Sequence, residues 1–360
     1  MSEPPASPDS PLAHASPAPL LRKPGEGGLA AWCRRNPSVW PALALLALLL
    51  YNIAFTPHFA SVGFQNDRLF GSMIDILKNG SRVALLAVGM TLVIAGGGID
   101  LSVGSVAALT GTVAALMLAK SGASPLTACA SALGLALVFG LMNGLLVVKL
   151  RLQPIIATLV TLVLARGLAQ TLSQDQSVSF NSPWFSSAFN GQFLALPMPI
   201  WIAGVVAVVV TGMLRWTAMG MYLSAVGVNA SAARLCGIRV GSIRTLGYVA
   251  TCLCAGIAGL VIASDVKNAD PNSLGMYLEL DAVLAVAIGG TSLTGGRPHV
   301  IGAVIGALLM QTITVMLQMR GVQTDATLIL KAAATLGVCL LQSPAIGVKL
   351  RQMLTRRENT

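Results

Sequence analysis

Long windows without Asp, Glu, Lys or Arg follow one another through this sequence, and they restrict it to one kind of fold. They run Val39–Thr56, Val83–Ile99, Leu101–Ala119, Ser121–Val148, and Leu152–Ala165 with a continuation past Arg166. Next come the end of a window closing at Leu214, then Thr245–Ser264, Ala282–Gly296, Pro298–Met319, and Ala326–Val348, which Lys331 interrupts. A helix needs roughly 20 apolar residues to cross the hydrocarbon core. The windows therefore predict an all-α integral membrane protein of about ten transmembrane helices. A soluble domain is excluded, because 55% of the residues are hydrophobic and only 10% are charged, too few to cover a surface in water. A membrane barrel is excluded too, since its strands would alternate apolar and polar over about ten residues. The 37 glycines suit helices packed closely within a membrane.

The placement of charge gives an orientation. With the N-terminus inside, fifteen cations fall in inside segments: Arg22, Lys23, Arg34, Arg35, Lys149, Arg151, Arg215, Arg234, Arg239, Arg244, Arg297, Lys349, Arg351, Arg356 and Arg357. Five fall outside: Arg68, Lys78, Lys120, Lys267 and Arg320. The positive-inside rule favours this orientation, with both termini cytoplasmic. It also explains the net charge of +10 without nucleic acid. Residues 1–37 are proline-rich and predict a disordered cytoplasmic tail. Residues 38–348 form the transmembrane domain, with a cytoplasmic loop at 215–244, and 349–360 form a basic cytoplasmic tail. The run after Arg34 and Arg35 resembles a signal sequence, but its apolar core is long and no Ala-x-Ala site follows, so an uncleaved first helix is expected. The six cysteines have no metal-site spacing and are expected to act as small packing residues.

An internal similarity appears at an offset of 198 residues. It pairs Ala84 with Ala282, Leu86 with Leu284, Ala87 with Ala285, Gly97 with Gly295, Gly98 with Gly296, and Gly104 with Gly302. Both copies read as helix, double-glycine break, helix. Either the similarity is a repeat, which points to a two-half transporter core, or small apolar residues recur by chance.

The first break, AGGGIDLSVG from Ala95 to Gly104, carries the densest chemistry. Gly96, Gly97 and Gly98 should end a helix, because glycine costs about 1 kcal/mol in a helix interior. Asp100 is expensive in lipid and should face a cavity, a partner or the interface. Two readings stay open: a gate or pathway element with Ser102, or a tight turn in which Asp100 caps the following helix. Other polar residues in the spans are Asn143 (between Gly140 and Gly144), Gln153, Thr158, Arg166 and Gln170. Thr158, Arg166 and Gln170 share one helical face. They supply hydrogen bonds to a polyol or, alternatively, to neighbouring helices, while Arg166 is a functional candidate as an intramembrane cation. Residues 215–244 place Tyr222, Leu223, Val226, Ala233, Leu235 and Ile238 on one apolar stripe, predicting a short amphipathic helix that docks into a partner's groove or lies in the lipid interface. GTSLTGGR (Gly290–Arg297) lacks the ending of a phosphate loop, and His14, His58 and His299 are scattered. No catalytic constellation and no metal set emerges, and no enzyme activity is expected of the chain.

The stretch VALLAVGMTLVIAGGGIDLSVGSVAAL (Val83–Leu109) resembles the signature of inner-membrane permeases of ribose-type ATP-binding-cassette sugar importers. Further pieces match in order: NGLLV at Asn143, LQPIIATL at Leu152, NSP at Asn181, AVGVNASAARLCGI at Ala225, LELDAVLAVAIGG at Leu278 and SLTGGR at Ser292. NDRLFGS (Asn66–Ser72) followed by IDIL looks most like the galactofuranose branch. The resemblance implies a binding-protein-dependent permease in the bacterial inner membrane that imports a monosaccharide. It also implies a cytoplasmic ATPase that uses the ATP, a periplasmic sugar-binding protein and a second permease, with no cofactor in this chain. SAARLCG (Ser231–Gly237) resembles the Glu-Ala-Ala-x3-Gly loop of importer permeases; Ala232, Ala233 and Gly237 keep the spacing and Ser231 replaces the acid. Gly220, Ala225, Gly227, Asn229, Ala232, Ala233 and Gly237 are then the candidate coupling residues. The outer loops Gln174–Leu196 and Asp265–Glu279 would receive the binding protein. The rival reading is an ion-coupled secondary carrier using Asp100 or Arg166.

Overall fold

In the computed structural model of the chain, residues 38–342 are described, apart from 57, 58, 60, 62, 66 and 67. The expected tails at 1–37 and 349–360, with the cations they carry, lie outside these residues. Each of the ten charge-poor windows holds a helix. The order is α1 (Val39–Phe55), α2 (Ser72–Ala95), α3 (Val103–Ala119), α4 (Pro125–Gly144) and α5 (Pro154–Ser173), then the short helix α6 (Pro183–Asn190) and α7 (Met198–Trp216). Two short helices follow, α8 (Met219–Val228) and α9 (Ala230–Leu235), and then α10 (Val240–Val266), α11 (Leu278–Ile288), α12 (Val300–Met319) and α13 (Thr324–Gln342). Six of these, α2, α4, α5, α7, α10 and α12, are long and apolar enough to cross a membrane; α4 gains length from a π-helical turn at Leu145–Lys149. The helices α1 and α3 are apolar but shorter, and α11 is shorter still.

Burial sorts the helices into centre and rim. In α2, 78% of the apolar window is buried, and in α10, 72%, against 17% in α7 and 28% in α5. A helix that is apolar all round belongs in the interior, and α2 has no charged residue after Arg82. It packs with α10 and α12 around a core of Leu85, Leu86, Met90, Ile94, Val106, Leu109, Cys252 and Val286. The rim helices turn Val163, Val205, Val208 and Val209 outward, as lipid contact requires.

Glycine sets how closely the central helices approach. The Gly140–Gly144 pair brings α4 against α10: a methyl group on Gly140 would lie 2.6 Å from the Val249 Cα, and one on Gly144 would meet Thr245. Gly302 and Gly306 let α12 lie on α11 at Gly289 and Ala285. Outside the helices, three two-stranded pairings occur among the described residues. One joins Val178–Ser179 antiparallel to Asn268–Ala269, tying the segment after α5 to the segment after α10.

Both halves of the internal similarity fold as helix, glycine cap, helix, with a shifted register. The first helix ends at Gly97 (φ +78°), where the Gly98 N–H donates to the Val93 carbonyl and that of Gly97 to Ile94. That double bond is a Schellman cap, which needs a left-handed residue and favours glycine. The second helix ends with the same cap at Gly290 (φ +90°), the Thr291 N–H donating to Val286. The structural counterpart of Gly97 is therefore Gly290, although an ungapped alignment pairs it with Gly295. Gly295 and Gly296 lie in the longer second loop, which shortens the helix expected over Ala282–Gly296.

Candidate functional site

The first break holds a sealed polar cluster. Asp100, Ser102, Asn143 and Thr158 are fully buried. The Asp100 Oδ1 accepts the Ser102 N–H at 2.9 Å and its hydroxyl at 2.6 Å. From α4, the Asn143 Nδ2 donates to both carboxyl oxygens (3.3 and 3.2 Å) and to the Ser102 Oγ at 2.9 Å. From α10, the Cys252 thiol donates to Oδ2 at 3.7 Å. Asp100 closes a turn on the Ser102 N–H just ahead of α3, whose N-cap is Ser102 itself, and it joins α3, α4 and α10 by one group. The Thr158 hydroxyl touches this region at the Ile99 carbonyl, 3.4 Å away. The Tyr248 hydroxyl is buried with no hydrogen-bond partner among the described residues, and a methyl group on Gly98 would lie 2.5 Å from it.

The two breaks interlock, and the loop helices wedge against both. The Gly296 N–H donates to the Ala95 carbonyl at 2.9 Å. Gly227, near the end of α8, sits where an added methyl would overlap the Ala95 carbonyl oxygen and lie 2.5 Å from the Gly296 nitrogen. Leu223 packs on Gly96 and joins Val88, Leu92, Ala95 and Val300 in an apolar cluster. Arg244, at the start of α10, donates through Nε to the Gly96 carbonyl at 3.2 Å.

The single amphipathic helix expected in residues 215–244 is two helices, α8 and α9, broken at Asn229. Asn229 is extended, and its Oδ1 caps α9 by accepting the Ser231 and Ala232 N–H groups at 3.0 Å each. Such capping stabilises a new helix start more than continuation of the old one. Ala225 accepts the Asn229 N–H, closing the end of α8, and Gly220 lies against the Leu214 carbonyl. Leu223, Val226 and Ala233 are buried as the stripe predicts, whereas Tyr222 and Leu235 face outward, Leu235 being 90% exposed. Trp216, Met221 and Val228 in this region are exposed as well.

The opposite ends of α2 and α10 are held by charge. Asp265 accepts from Lys78 and Arg82, and the Asn190 amide of α6 donates to it at 2.8 Å. Arg166 does not reach Asp100: its Nη1 donates to the carbonyls of Pro271 and Leu274 at 2.7 and 2.8 Å. Gln170 extends this docking to Asn272 (2.7 Å), which reaches Asp175 at 2.9 Å. Arg166 and Gln170 thus fix the loop before α11, while Thr158, on the same helical face, bonds the Ile99 carbonyl instead. In that loop the Ser273 hydroxyl, first among its hydrogen bonds, holds the Asp270 carboxyl below the ordinary range. Arg166→Ala should cost about 1.5–3 kcal/mol, the range for hydrogen bonds to a charged group. A thermal melt in detergent reads this, and Arg166→Lys should restore little, because an ammonium does not reproduce the guanidinium fork.

The predicted site residues therefore fall in separate places. Gly96, Gly97 and Gly98 line a small void with Arg244 and Tyr248. Gln153 is exposed at the start of α5, beside a basic cleft with Arg151, Arg234 and Arg244. Arg166 lies at the far end of α5. Lys331 is paired with Asp281 at 2.6 Å. A polar cleft of about 630 Å³ lies elsewhere, lined by Asn79, Arg82, Asn268, Asp270, Gln311 and Gln318 among others. Sequence reasoning passed over it. A usable signal existed in the spacing: Asn79 and Arg82 are three apart, Gln311 and Gln318 seven apart, so each pair lies on one helical face.

Residues 72–339 match the family described as branched-chain amino acid transport system / permease component. The chain is 45% identical to the galactofuranose transporter permease protein YtfT of Escherichia coli (strain K12), over 86% of this chain and 91% of that one. It is 37% identical to the ribose import permease protein RbsC of the same organism, over 87% of this chain and 95% of that protein. With the fructose import permease protein FruF of Bifidobacterium longum (strain NCC 2705) it shares 36% identity over 85% of this chain and 88% of the relative. A membrane-spanning helical core with glycine-capped breaks, matched along nearly its whole length by these proteins, places the chain in the permease family of ribose-type ATP-binding-cassette sugar importers.

Proposed function

We propose that this chain carries a neutral monosaccharide, of the kind named for its relatives, across the inner membrane. A separate cytoplasmic ATPase drives it, a periplasmic binding protein delivers the sugar, and a second permease completes the pathway. One observation carries the coupling: α8 touches both glycine breaks at once, through Gly227 at Ala95 and Gly296. A push on the exposed apolar side chains of α8 and α9 is transmitted to the ends of α2 and to the loop before α12. In this reading Gly220, Ala225, Gly227, Asn229, Ala232, Ala233 and Gly237 form the coupling element. Gly96, Gly97, Gly98, Asp100, Ser102 and Asn143 form the hinge of the gate, with Thr158 beside it. Gln153 lies on the cytoplasmic mouth, and Arg166 steadies the outer loop. The distribution of cations supports cytoplasmic α8 and α9, with both termini inside; a periplasmic signal from a reporter fused after Thr360 would overturn that orientation.

The ion-coupled alternative finds no support. Asp100 is enclosed by hydrogen bonds, and Arg166 is engaged by two carbonyls. Reconstitution with the ATPase and binding protein tests the proposal, and sugar uptake that persists without the ATPase would exclude it. Leu235→Glu provides a sharper test. The side chain touches solvent, so the fold should stand, while association with the ATPase should weaken about tenfold, or 1.4 kcal/mol, because a carboxylate enters an apolar contact. Unchanged co-purification of the ATPase would count against α9 as the docking element.

A further inference from the structure

The polar cleft at the outer end of α2 belongs to none of the parts assigned so far. Its volume of about 630 Å³ lies within the roughly 300–1,000 Å³ range of small-molecule sites. Its walls come from both halves of the internal similarity. Asn79 and Arg82 come from α2 in the first half, and Gln311 and Gln318 from α12 in the second. Transporter substrates bind at such repeat interfaces. Asn268 and Asp270 complete it from the loop that Arg166 anchors.

Three features define what such a cleft would take. Half of its polar side chains are amides (Asn79, Asn268, Gln311 and Gln318), which offer donors and acceptors on one side chain, as hydroxyl groups need. Two of its buried atoms, the Asn268 Oδ1 and the Arg82 Nε, have no hydrogen-bond partner among the described residues. One accepts and the other donates, and a sugar hydroxyl does both. The charges close to balance: Lys78 and Arg82 are cations, Asp265 and Asp270 are carboxylates, and three of these already form ion pairs. A carboxylate or phosphate on the ligand would therefore find no free counter-charge.

We infer that this cleft is a second sugar subsite, within the permease itself, that reads the hydroxyl pattern of a neutral monosaccharide through Asn79, Gln311, Gln318 and Asn268. The inference rests on the sugar-permease reading and adds to it that this chain also selects its substrate. A site that hydrogen-bonds hydroxyls rejects analogues lacking them, because its buried polar groups are then left unpaired. Binding here also reaches the gate: α2 carries Asn79 near one end and the Gly97 cap at the other.

The test uses the complete importer, permease with its ATPase and binding protein, in proteoliposomes. Probes are D-ribose, D-fructose, D-galactose, their monodeoxy analogues, and D-gluconate as an anion. For the sugar carried fastest, the unaltered importer should favour the parent over at least one deoxy analogue. Gln311→Leu and Asn79→Leu should reduce that preference about tenfold, with assembly onto the ATPase as the check of folding. Preference within twofold of the unaltered importer in both variants would overturn the subsite. A second measurement needs no destabilising change: Ser177→Cys at the rim of the cleft, labelled from outside by a membrane-impermeant maleimide. The transported sugar should slow labelling and D-gluconate should not; equal labelling with and without sugar also overturns the inference. If the unaltered importer carries none of the sugars with ATP, the sugar-permease reading itself fails, and that outcome is separate from a loss of preference alone.

Discussion

Gly227→Val is expected to abolish ATP-driven uptake, by more than about a hundredfold, the scale of losing roughly 3 kcal/mol of a coupled arrangement. A methyl at this position would already overlap the Ala95 carbonyl oxygen and crowd the Gly296 nitrogen. Both obstacles are backbone, so no side-chain rotation relieves them. The Ala95 carbonyl is also the acceptor for the Gly296 N–H. Displacing α8 therefore opens the one hydrogen bond that joins the two breaks, and overpacking of a close contact generally costs about 1–3 kcal/mol before that loss is added. The measurement is sugar uptake and ATP hydrolysis in the same proteoliposomes. Hydrolysis without uptake identifies broken coupling. Normal uptake by Gly227→Val would show that α8 does not work through this contact.

The comparison with Gly237 makes the prediction specific. Both glycines lie in the same loop, and the sequence marks only Gly237, through its spacing from Ala232 and Ala233. An added methyl on Gly237 meets nothing within 4 Å, but its φ is +80°. Only backbone strain opposes a side chain there, costing about 1–2 kcal/mol. Gly237→Ala should therefore lower stability slightly and leave most uptake in place, while Gly227→Ala should already be severe. Equal effects from the two substitutions would contradict this account of the loop.

The windows between charges place the helices, because a bilayer tolerates few charges in any span, whatever the packing. The first glycine break is equally legible, since Gly97 ends α2 where only a left-handed residue closes the cap, whereas the second cap falls at Gly290 and not at the aligned Gly295. Pairings across the fold are not legible in this way. Asn143 lies 43 residues from Asp100 and Cys252 lies 152 away, and neither has a local pattern that names its partner. Arg166 looks like a pathway cation by its position in a span, yet two carbonyls of a distant loop take it up. Asn229 split the expected amphipathic helix because local capping outweighed the apolar periodicity. The outer cleft was hidden for another reason. Its residues sit at the edges of the windows, where polar side chains are commonly explained by the interface.

Asn143→Leu is expected to be the most destabilising single change in the buried cluster. The Asn143 amide is the one side-chain donor that spans both oxygens of Asp100, and it also reaches Ser102. Leucine replaces it with a group of similar size and no donor. The carboxyl is then left with Ser102 and the weak Cys252 thiol. Leaving a buried carboxyl short of a donor costs about 1–3 kcal/mol, and more where the group is charged, and a thermal melt of the purified permease reads that loss. Asp100→Asn should be milder, because its side-chain oxygen still accepts both the Ser102 N–H and its hydroxyl. The two amides then face each other across the site, for about 1–3 kcal/mol. Asp100→Leu combined with Asn143→Leu should lose less than the sum of the single changes, with a coupling of about 0.5–3 kcal/mol, since no polar group is left waiting for the other. Additive losses would show that the two side chains act independently. Asp100→Asn also separates the mechanisms. It removes the titratable group that an ion-coupled carrier would need, and uptake would then cease. In an ATP-driven permease whose Asp100 only holds α3, α4 and α10 together, the folded Asp100→Asn protein still carries sugar.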